Sequence, residues 1–339
     1  MQGVIALYLY FMTKIFVTRD IPDHGIKLLK AKKSVKLSIY KGDKAIPKAE
    51  LKKSVKGVDI LLSLLTDKID AEIMDAAGPS LKMIANYAVG FDNIDVKAAQ
   101  ARGIVVTNAA TPEISESVAE HALAMIFALA HRIVETDAWT RKGNYKGWGP
   151  KLFLGMDIKG KTLGLIGGGA IGSALARRMK DGFDVKIVYT DIKRNEALEA
   201  NGAKFLKQDD LLRQADFVSL HVPLLPSTHH LISTKELKLM KKTAFLINTS
   251  RGPIVDELAL VKALTKGQIG GAGLDVYEKE PLIDANPKDM YELRKLPNVV
   301  LTPHTASATN EARQAMSATA AKNILAFLDG KTPPNAIKL

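Results

Sequence analysis

The chain has 339 residues, 47% hydrophobic and 25% charged, which suits a folded protein of two domains and excludes a disordered or low-complexity chain. It contains no cysteine, which removes disulfides, thiolate metal sites and cysteine nucleophiles together and fits the cytoplasm. The net charge of +12 is dispersed, with only short pairs such as Lys32-Lys33, Lys52-Lys53 and Lys241-Lys242, so it describes a solvated lysine-rich surface and no nucleic-acid partner.

Residues Val4 to Met12 are nearly all apolar or aromatic. No basic stretch precedes them and no small-residue cleavage site follows, so residues 1–11 read as an N-terminal extension rather than a secretion signal. Short β-branched runs then alternate with helical patterns. Strands are predicted at Lys14–Thr18, Val35–Tyr40, Val58–Leu64, Leu81–Asn86 and Ile104–Asn108, with amphipathic stretches at Asp23–Lys30 and Ala71–Ala77 between them. Such alternation builds a parallel sheet with helices on both faces.

A long helix is predicted next. Thr111-Pro112 suits a first turn, while the capping-box spacing of Ser117 to Glu120 allows a start a few residues later. The segment runs through Ala122–Ala130 with apolar residues on most faces, the pattern of a helix buried between domains or at a subunit contact. Gly143, Gly147, Gly149 and Pro150 break it. A second alternating series has strands at Thr162–Ile166, Val185–Thr190, Phe217–Val222, Ala244–Asn248, Ala272–Val276 and Val299–Leu301. A helical pattern from Glu311 to Leu328 closes the chain. No interior segment reaches the roughly 18 apolar residues that a membrane helix needs. No metal site is read from the sequence.

The segment Leu163 to Gly172 contains G-x-G-x-x-G as Gly167, Gly169 and Gly172, with Ala170 and Ile171 between the last two. That string alone is weak. Here an apolar strand precedes it and a helix-forming run, Ser173 to Met179, follows it. The first glycine permits a tight turn, the second lets a pyrophosphate approach the backbone, and the third allows close strand–helix packing. The phosphates then meet free N–H groups at a helix N-terminus. The next strand ends at Asp191, nineteen residues after Gly172. An acidic group there accepts from the ribose hydroxyls and repels a 2′-phosphate, which favours NAD; Lys193 and Arg194 just beyond leave NADP open.

Three charged residues follow later strands. Arg251 comes after Phe245–Asn248, Glu280 after Gly273–Tyr277, and His304 after Val299–Pro303. Open α/β sheets bind ligands outside the carboxyl ends of their strands. An arginine there can hold a carboxylate in a forked pair and polarise an adjacent carbonyl. A histidine can give a proton to the carbonyl oxygen as hydride arrives at carbon, and a carboxylate beside the ring favours its charged form and fixes its orientation. Each residue alone reads as structural; their joint occurrence behind a dinucleotide fingerprint makes them a site.

On these motifs the chain resembles the D-isomer-specific 2-hydroxyacid dehydrogenases, and most closely their glyoxylate and hydroxypyruvate reductases. Further signatures are His221-Val222-Pro223-Leu224, Met240 to Gly252, Gly271 to Val276 and Leu301-Thr302-Pro303-His304. The resemblance implies two doubly wound parallel-sheet α/β domains. A Rossmann cofactor domain of residues 111–304 is expected to be inserted into a flavodoxin-like substrate domain of residues 12–110 plus 305–339. It also implies that Arg251 binds substrate, that His304 is the acid/base, and that Glu280 is its partner. Asp275 would meet the nicotinamide carboxamide and Thr249 would lie along the nicotinamide. Val222, Pro223 and Thr228 would flank the adenosine and pyrophosphate. Val89 and Gly90, in Tyr87 to Asp92, would offer backbone N–H groups to the substrate carboxylate. The implied partner is a small 2-oxo or 2-hydroxy acid, and the implied assembly is a homodimer through the cofactor domain, involving the helix after Pro112. Phosphoglycerate and phosphite dehydrogenases share the triad, as do non-catalytic NAD-sensing corepressors, and both readings stay open. Glu280 argues against a formate dehydrogenase, which carries glutamine there.

Overall fold

The computed structural model describes residues 12–280 and 293–338. The N-terminal extension expected at residues 1–11 lies outside these. The chain divides into two compact units, one of Met1–Ile114 with Thr309–Leu339 and the other of Ser115–Ala308.

The first unit is built on β1 (Thr13–Val17), β2 (Val35–Ile39), β3 (Ile60–Leu64), β4 (Met83–Tyr87) and β5 (Val105–Thr107), in the order β2-β1-β3-β4-β5. Every pair is parallel. A parallel sheet is covered on both faces, so its inner strands are apolar nearly throughout; Ile60, Leu61, Leu62, Met83, Ile84 and Ala85 have no measurable exposure. The helix Asp23–Ala31 lies against the closing helix Asn310–Leu328. The two backbones approach at Gly25, where an added Cβ would sit 2.0 Å from the Ser317 carbonyl oxygen. The Ser317 hydroxyl accepts from Gly25 N at 3.0 Å and donates to the Pro22 carbonyl at 2.5 Å. After that helix the chain returns to β5, where Ile337 N donates to Val106 O and Ala336 bridges to Thr107.

The second unit holds β6 (Thr162–Ile166), β7 (Lys186–Thr190), β8 (Lys204–Phe205), β9 (Phe217–Leu220), β10 (Phe245–Asn248), β11 (Gly271–Leu274) and β12 (Val299–Leu301). All pairs are parallel, in the order β12-β11-β10-β9-β6-β7-β8. Both sheets therefore have the doubly wound character expected. Strand β8, at two residues, is too short to make a sequence pattern and was not foreseen. Strand order reverses between β6 and β9, and such a switch point leaves a crevice above the carboxyl ends of the two strands.

The long helix starts at Pro112 and runs to Ala130. The later start allowed at Ser117 does not occur, because the Ser117 hydroxyl donates to Ala306 O at 2.9 Å. Ala119, Ala122, Met125, Ile126 and Leu129 bury into a core with Leu163, Leu165 and Leu175. Arg132, in left-handed backbone with φ 54°, separates this helix from a further one, Ile133–Arg141. Among the described residues no single helix is long and apolar enough to cross a membrane.

The Gly25 contact gives the first prediction. Gly25→Ala forces two packed helices apart and lowers stability by about 1–3 kcal/mol, read as a shift in urea midpoint. An unchanged midpoint would show that the contact yields freely.

Candidate active site

Arg251, Glu280 and His304 follow β10, β11 and β12, three adjacent strands at one edge of the second sheet, and all lie beyond the carboxyl ends. The loop carrying Arg251 is fixed from beneath. Buried Asn248 donates through Nδ2 to Arg251 O at 2.9 Å and accepts from Ser250 N at 3.0 Å, while the Ser250 hydroxyl donates to Leu220 O at 2.7 Å. One guanidinium nitrogen of Arg251 donates to Ser250 O at 2.8 Å. Gly252 then lies directly on the next loop: a Cβ there would stand 1.8 Å from the Tyr277 carbonyl carbon. No other residue type permits this backbone-on-backbone contact, which sets the Arg251 loop against the segment leading to Glu280.

Glu280 bridges that segment to His304. Its Oε1 accepts from Tyr277 N at 2.7 Å and its Oε2 lies 2.6 Å from His304 Nδ1. A carboxylate only accepts, so Nδ1 carries the proton and Nε2 is the ring nitrogen left for substrate chemistry. The pair is about three-quarters buried, with side-chain exposures of 26% and 22%. Burial pushes the Tyr277 phenol well above its ordinary pKa, so it remains a donor, and its hydroxyl bonds Thr302 O at 2.8 Å.

His304 itself has φ 56°, a left-handed conformation that costs a non-glycine residue roughly 1–2 kcal/mol. The geometry that imposes it centres on Asp275, which has no solvent exposure. Its Oδ1 accepts from the Thr302 hydroxyl at 2.6 Å and Thr305 N at 2.7 Å, and its Oδ2 accepts from Ala306 N at 2.8 Å. Its carbonyl accepts from His304 N at 2.8 Å. The resemblance assigned Asp275 to the nicotinamide carboxamide. Its oxygens accept from the loop that carries His304, and the residue is fully buried. His121, from the long helix, joins the cluster with Nε2 at 3.0 Å from Thr302 Oγ1; the Thr302 proton goes to Asp275, so His121 is the donor.

At the switch point, Gly167 has φ 105° and a Cβ there would meet His221 O at 2.4 Å, so the tight turn needs glycine for both reasons. A Cβ on Gly172 would lie 2.3 Å from Gly167 O, which explains the close strand–helix contact. Gly169 differs. Nothing lies within 4 Å of its Cβ position, and both it and Ala170 are exposed. No contact inside the protein demands glycine at 169, whereas a ligand closing on this backbone would. Ile171 is partly buried in the first turn of the helix Ala170–Phe183, which begins here without a side-chain cap, leaving first-turn N–H groups for an anion. Asp191 stands at this turn, its Oδ2 accepting from Gly168 N at 2.7 Å. Val222 borders Gly167 from the β9 side. These residues fit a dinucleotide: the Gly169–Ala170 backbone would hold its pyrophosphate and Asp191 its adenosine ribose.

The other expected residues lie in the following settings. Arg194 gives both arms of its guanidinium to Glu199, at 2.9 and 2.8 Å, and lies over the Phe205 ring, so it is not poised for a 2′-phosphate. The Thr228 hydroxyl closes its own turn by donating to Pro223 O at 2.6 Å. Thr249 is buried, and its hydroxyl oxygen has no partner among the described residues. Val89 and Gly90 lie in the other unit, in the loop after β4, with Val89 37% exposed.

The family described as D-isomer specific 2-hydroxyacid dehydrogenase, NAD binding domain, matches residues 123–306. A glyoxylate reductase of Thermococcus litoralis is 50% identical over 330 residues, covering 96% of each chain. The chain belongs to the D-isomer specific 2-hydroxyacid dehydrogenases. Among solved structures, a glyoxylate reductase from Paecilomyes thermophila matches this dehydrogenase at TM-score 0.85 and 30% identity over 96% of this chain and 98% of that one. A D-lactate dehydrogenase from Aquifex aeolicus, complexed with NAD and lactic acid, matches at TM-score 0.82 and 31% identity over 94% and 96%.

Reading by motif missed Asn248, Tyr277 and His121 in this dehydrogenase, because each acts through a backbone or buried contact that has no fixed spacing. His221 belongs with them. Burial pushes its pKa from the ordinary 6.5 down to about 4, and its Nε2 pairs with Ser219 Oγ at 2.9 Å. The unfolded chain takes up a proton below about 6.5 that the folded chain refuses until about 4, so stability is full at neutral pH and falls as pH drops through that window. Between pH 7 and 5 the loss from this group is about 1–2 kcal/mol. His221→Gln should remove that part of the acid slope in urea titrations, and an identical slope in wild type and variant would contradict it.

Proposed function

We propose that the dehydrogenase reduces a small 2-oxo acid, glyoxylate or hydroxypyruvate, to the D-2-hydroxy acid with NADH and a proton. The observation that carries this reading is the 2.6 Å His304–Glu280 pair, standing two strands from the Arg251 loop at the carboxyl edge of the same sheet. Arg251 holds the substrate carboxylate in a forked pair and polarises the neighbouring carbonyl. In the first unit, the backbone N–H groups of Val89 and Gly90 are the groups we assign to carboxylate binding. Bound NADH supplies the hydride to the carbonyl carbon. His304 gives the Nε2 proton to the carbonyl oxygen, and Glu280 orients the ring through its bond to Nδ1. NAD is expected over NADP, because Asp191 stands at the glycine-rich turn, where it would accept from the adenosine ribose, and Arg194 is engaged by Glu199.

The test is a substrate panel of glyoxylate, hydroxypyruvate, pyruvate, phosphohydroxypyruvate and, in the reverse direction, phosphite, each with both nicotinamides. The highest kcat/KM is expected for glyoxylate or hydroxypyruvate with NADH. His304→Ala should lower kcat about 100- to 10,000-fold and leave NADH affinity within a few-fold. An equal loss of NADH binding would make His304 structural, and preference for NADPH would remove Asp191 as the selector.

We further propose a homodimer through the cofactor domain. Support comes from apolar side chains exposed along one segment after the long helix: Ile133, Val134, Tyr145, Leu152, Leu154 at 66% and Trp148 at 83%. Large exposed apolar patches mark interfaces, and these side chains are the candidates for one. Sedimentation velocity should show a dimer that Trp148→Asp with Leu154→Asp converts to monomer; a monomeric wild type would refute it.

A further inference from the structure

In the loop after β4 the peptide planes that carry the N–H groups of Val89, Gly90 and Phe91 are fixed through their carbonyls. The carbonyl preceding each one is held. Ala88 O accepts from Ala109 N at 2.8 Å, Val89 O from Asn108 Nδ2 at 2.8 Å, and Gly90 O from Asn86 Nδ2 at 3.0 Å. In a planar trans peptide the C=O and N–H point opposite ways. Holding three successive oxygens therefore fixes the direction of three successive N–H groups, in a loop where Val89 and Phe91 are 37% and 36% exposed. Successive N–H groups on one side form an anion-binding concavity.

The asparagine amides cannot be reversed without loss. Asn108 Oδ1 accepts from Ala110 N at 3.4 Å while Nδ2 serves Val89. Asn86, with no exposure, accepts at Oδ1 from the Ser63 hydroxyl at 3.1 Å and donates at Nδ2 to Asn93 Oδ1 at 2.9 Å as well as to Gly90. Asn93 is oriented in turn by donating to Leu64 O at 3.1 Å and Asp67 O at 3.0 Å. Asn108 is anchored from the closing helix, where buried Asn323 donates to Asn108 O at 2.9 Å and accepts from Asn335 N at 3.1 Å. The whole chain of bonds lies within the first unit, and Asn86, Asn93, Asn108 and Asn323 each both donate and accept through the side-chain amide.

We propose that Asn108 and Asn86 are positioning residues for substrate, aiming the N–H groups of Val89 and Gly90 at the carboxylate. This rests on the reading of that loop as the carboxylate-binding loop. A residue that merely stabilised the first unit would change melting temperature and leave recognition alone. A positioning residue changes recognition of every carboxylate ligand by the same factor.

The experiment uses full-length Asn108→Ala with NADH, measuring KM for glyoxylate, the inhibition constant of oxamate, kcat, NADH affinity and melting temperature. KM and the oxamate constant should rise together by about tenfold, with kcat and NADH affinity within about threefold. Unchanged KM and oxamate constants, whatever the melting temperature does, would overturn the inference. Should Asn108→Ala not be recovered folded, Asn86→Ser makes the same test at the Gly90 carbonyl with the same two outcomes. Wild-type enzyme that turns over glyoxylate while the variants keep its KM removes only this inference. Wild-type enzyme inactive on every oxo acid removes the substrate reading and this inference with it.

Discussion

The carboxylate of Asp275 sits fully buried beyond β11, and the donors that satisfy it are the Thr302 hydroxyl and the backbone N–H groups of Thr305 and Ala306. A buried charge without donors costs several kcal/mol, so the chain after β12 is stable only when wound around this group. His304 lies inside that winding. Its left-handed backbone, its N–H bond to Asp275 O and its Nδ1 bond to Glu280 all follow from the same closure. An unfavourable local conformation persists because several stronger bonds over-determine it.

The first unit obeys the same rule with neutral groups. Two backbone carbonyls after β4 are occupied by asparagine amides, which fixes the direction of the N–H groups that follow them. In both units a loop at the carboxyl end of a strand is made rigid from behind, by buried polar bonds, so that its outward groups hold their direction. Positions held in this way need little rearrangement to meet a ligand, which is where much of the cost of binding otherwise lies.

The glycines of the second unit divide by cause. Gly167, Gly172 and Gly252 are required by the protein's own backbone, which would collide with any side chain there. Gly169 has open space around it. Its identity makes sense only against something outside the chain, and that contrast carries the cofactor argument further than the motif string does. Family membership adds the chemistry, since a parallel sheet with a switch point hosts many unrelated reactions.

By itself the sequence determined the two α/β series, nearly all the strands, the dinucleotide turn with Asp191, and the Arg251, Glu280 and His304 set. These are local matters: apolar periodicity, glycine spacing and a charged residue just past a strand are all written in consecutive positions. Tertiary structure alone decided that Asp275 serves the His304 loop, that Arg194 belongs to Glu199, that Ser117 bonds Ala306 instead of capping a helix, and that Asn86 and Asn108 hold the Val89–Gly90 loop. Each of those depends on a hydrogen bond between residues far apart in the chain or on competition among several partners. The outcome of such competition is set by which groups folding brings within 3 Å of one another, and no spacing in the sequence records it.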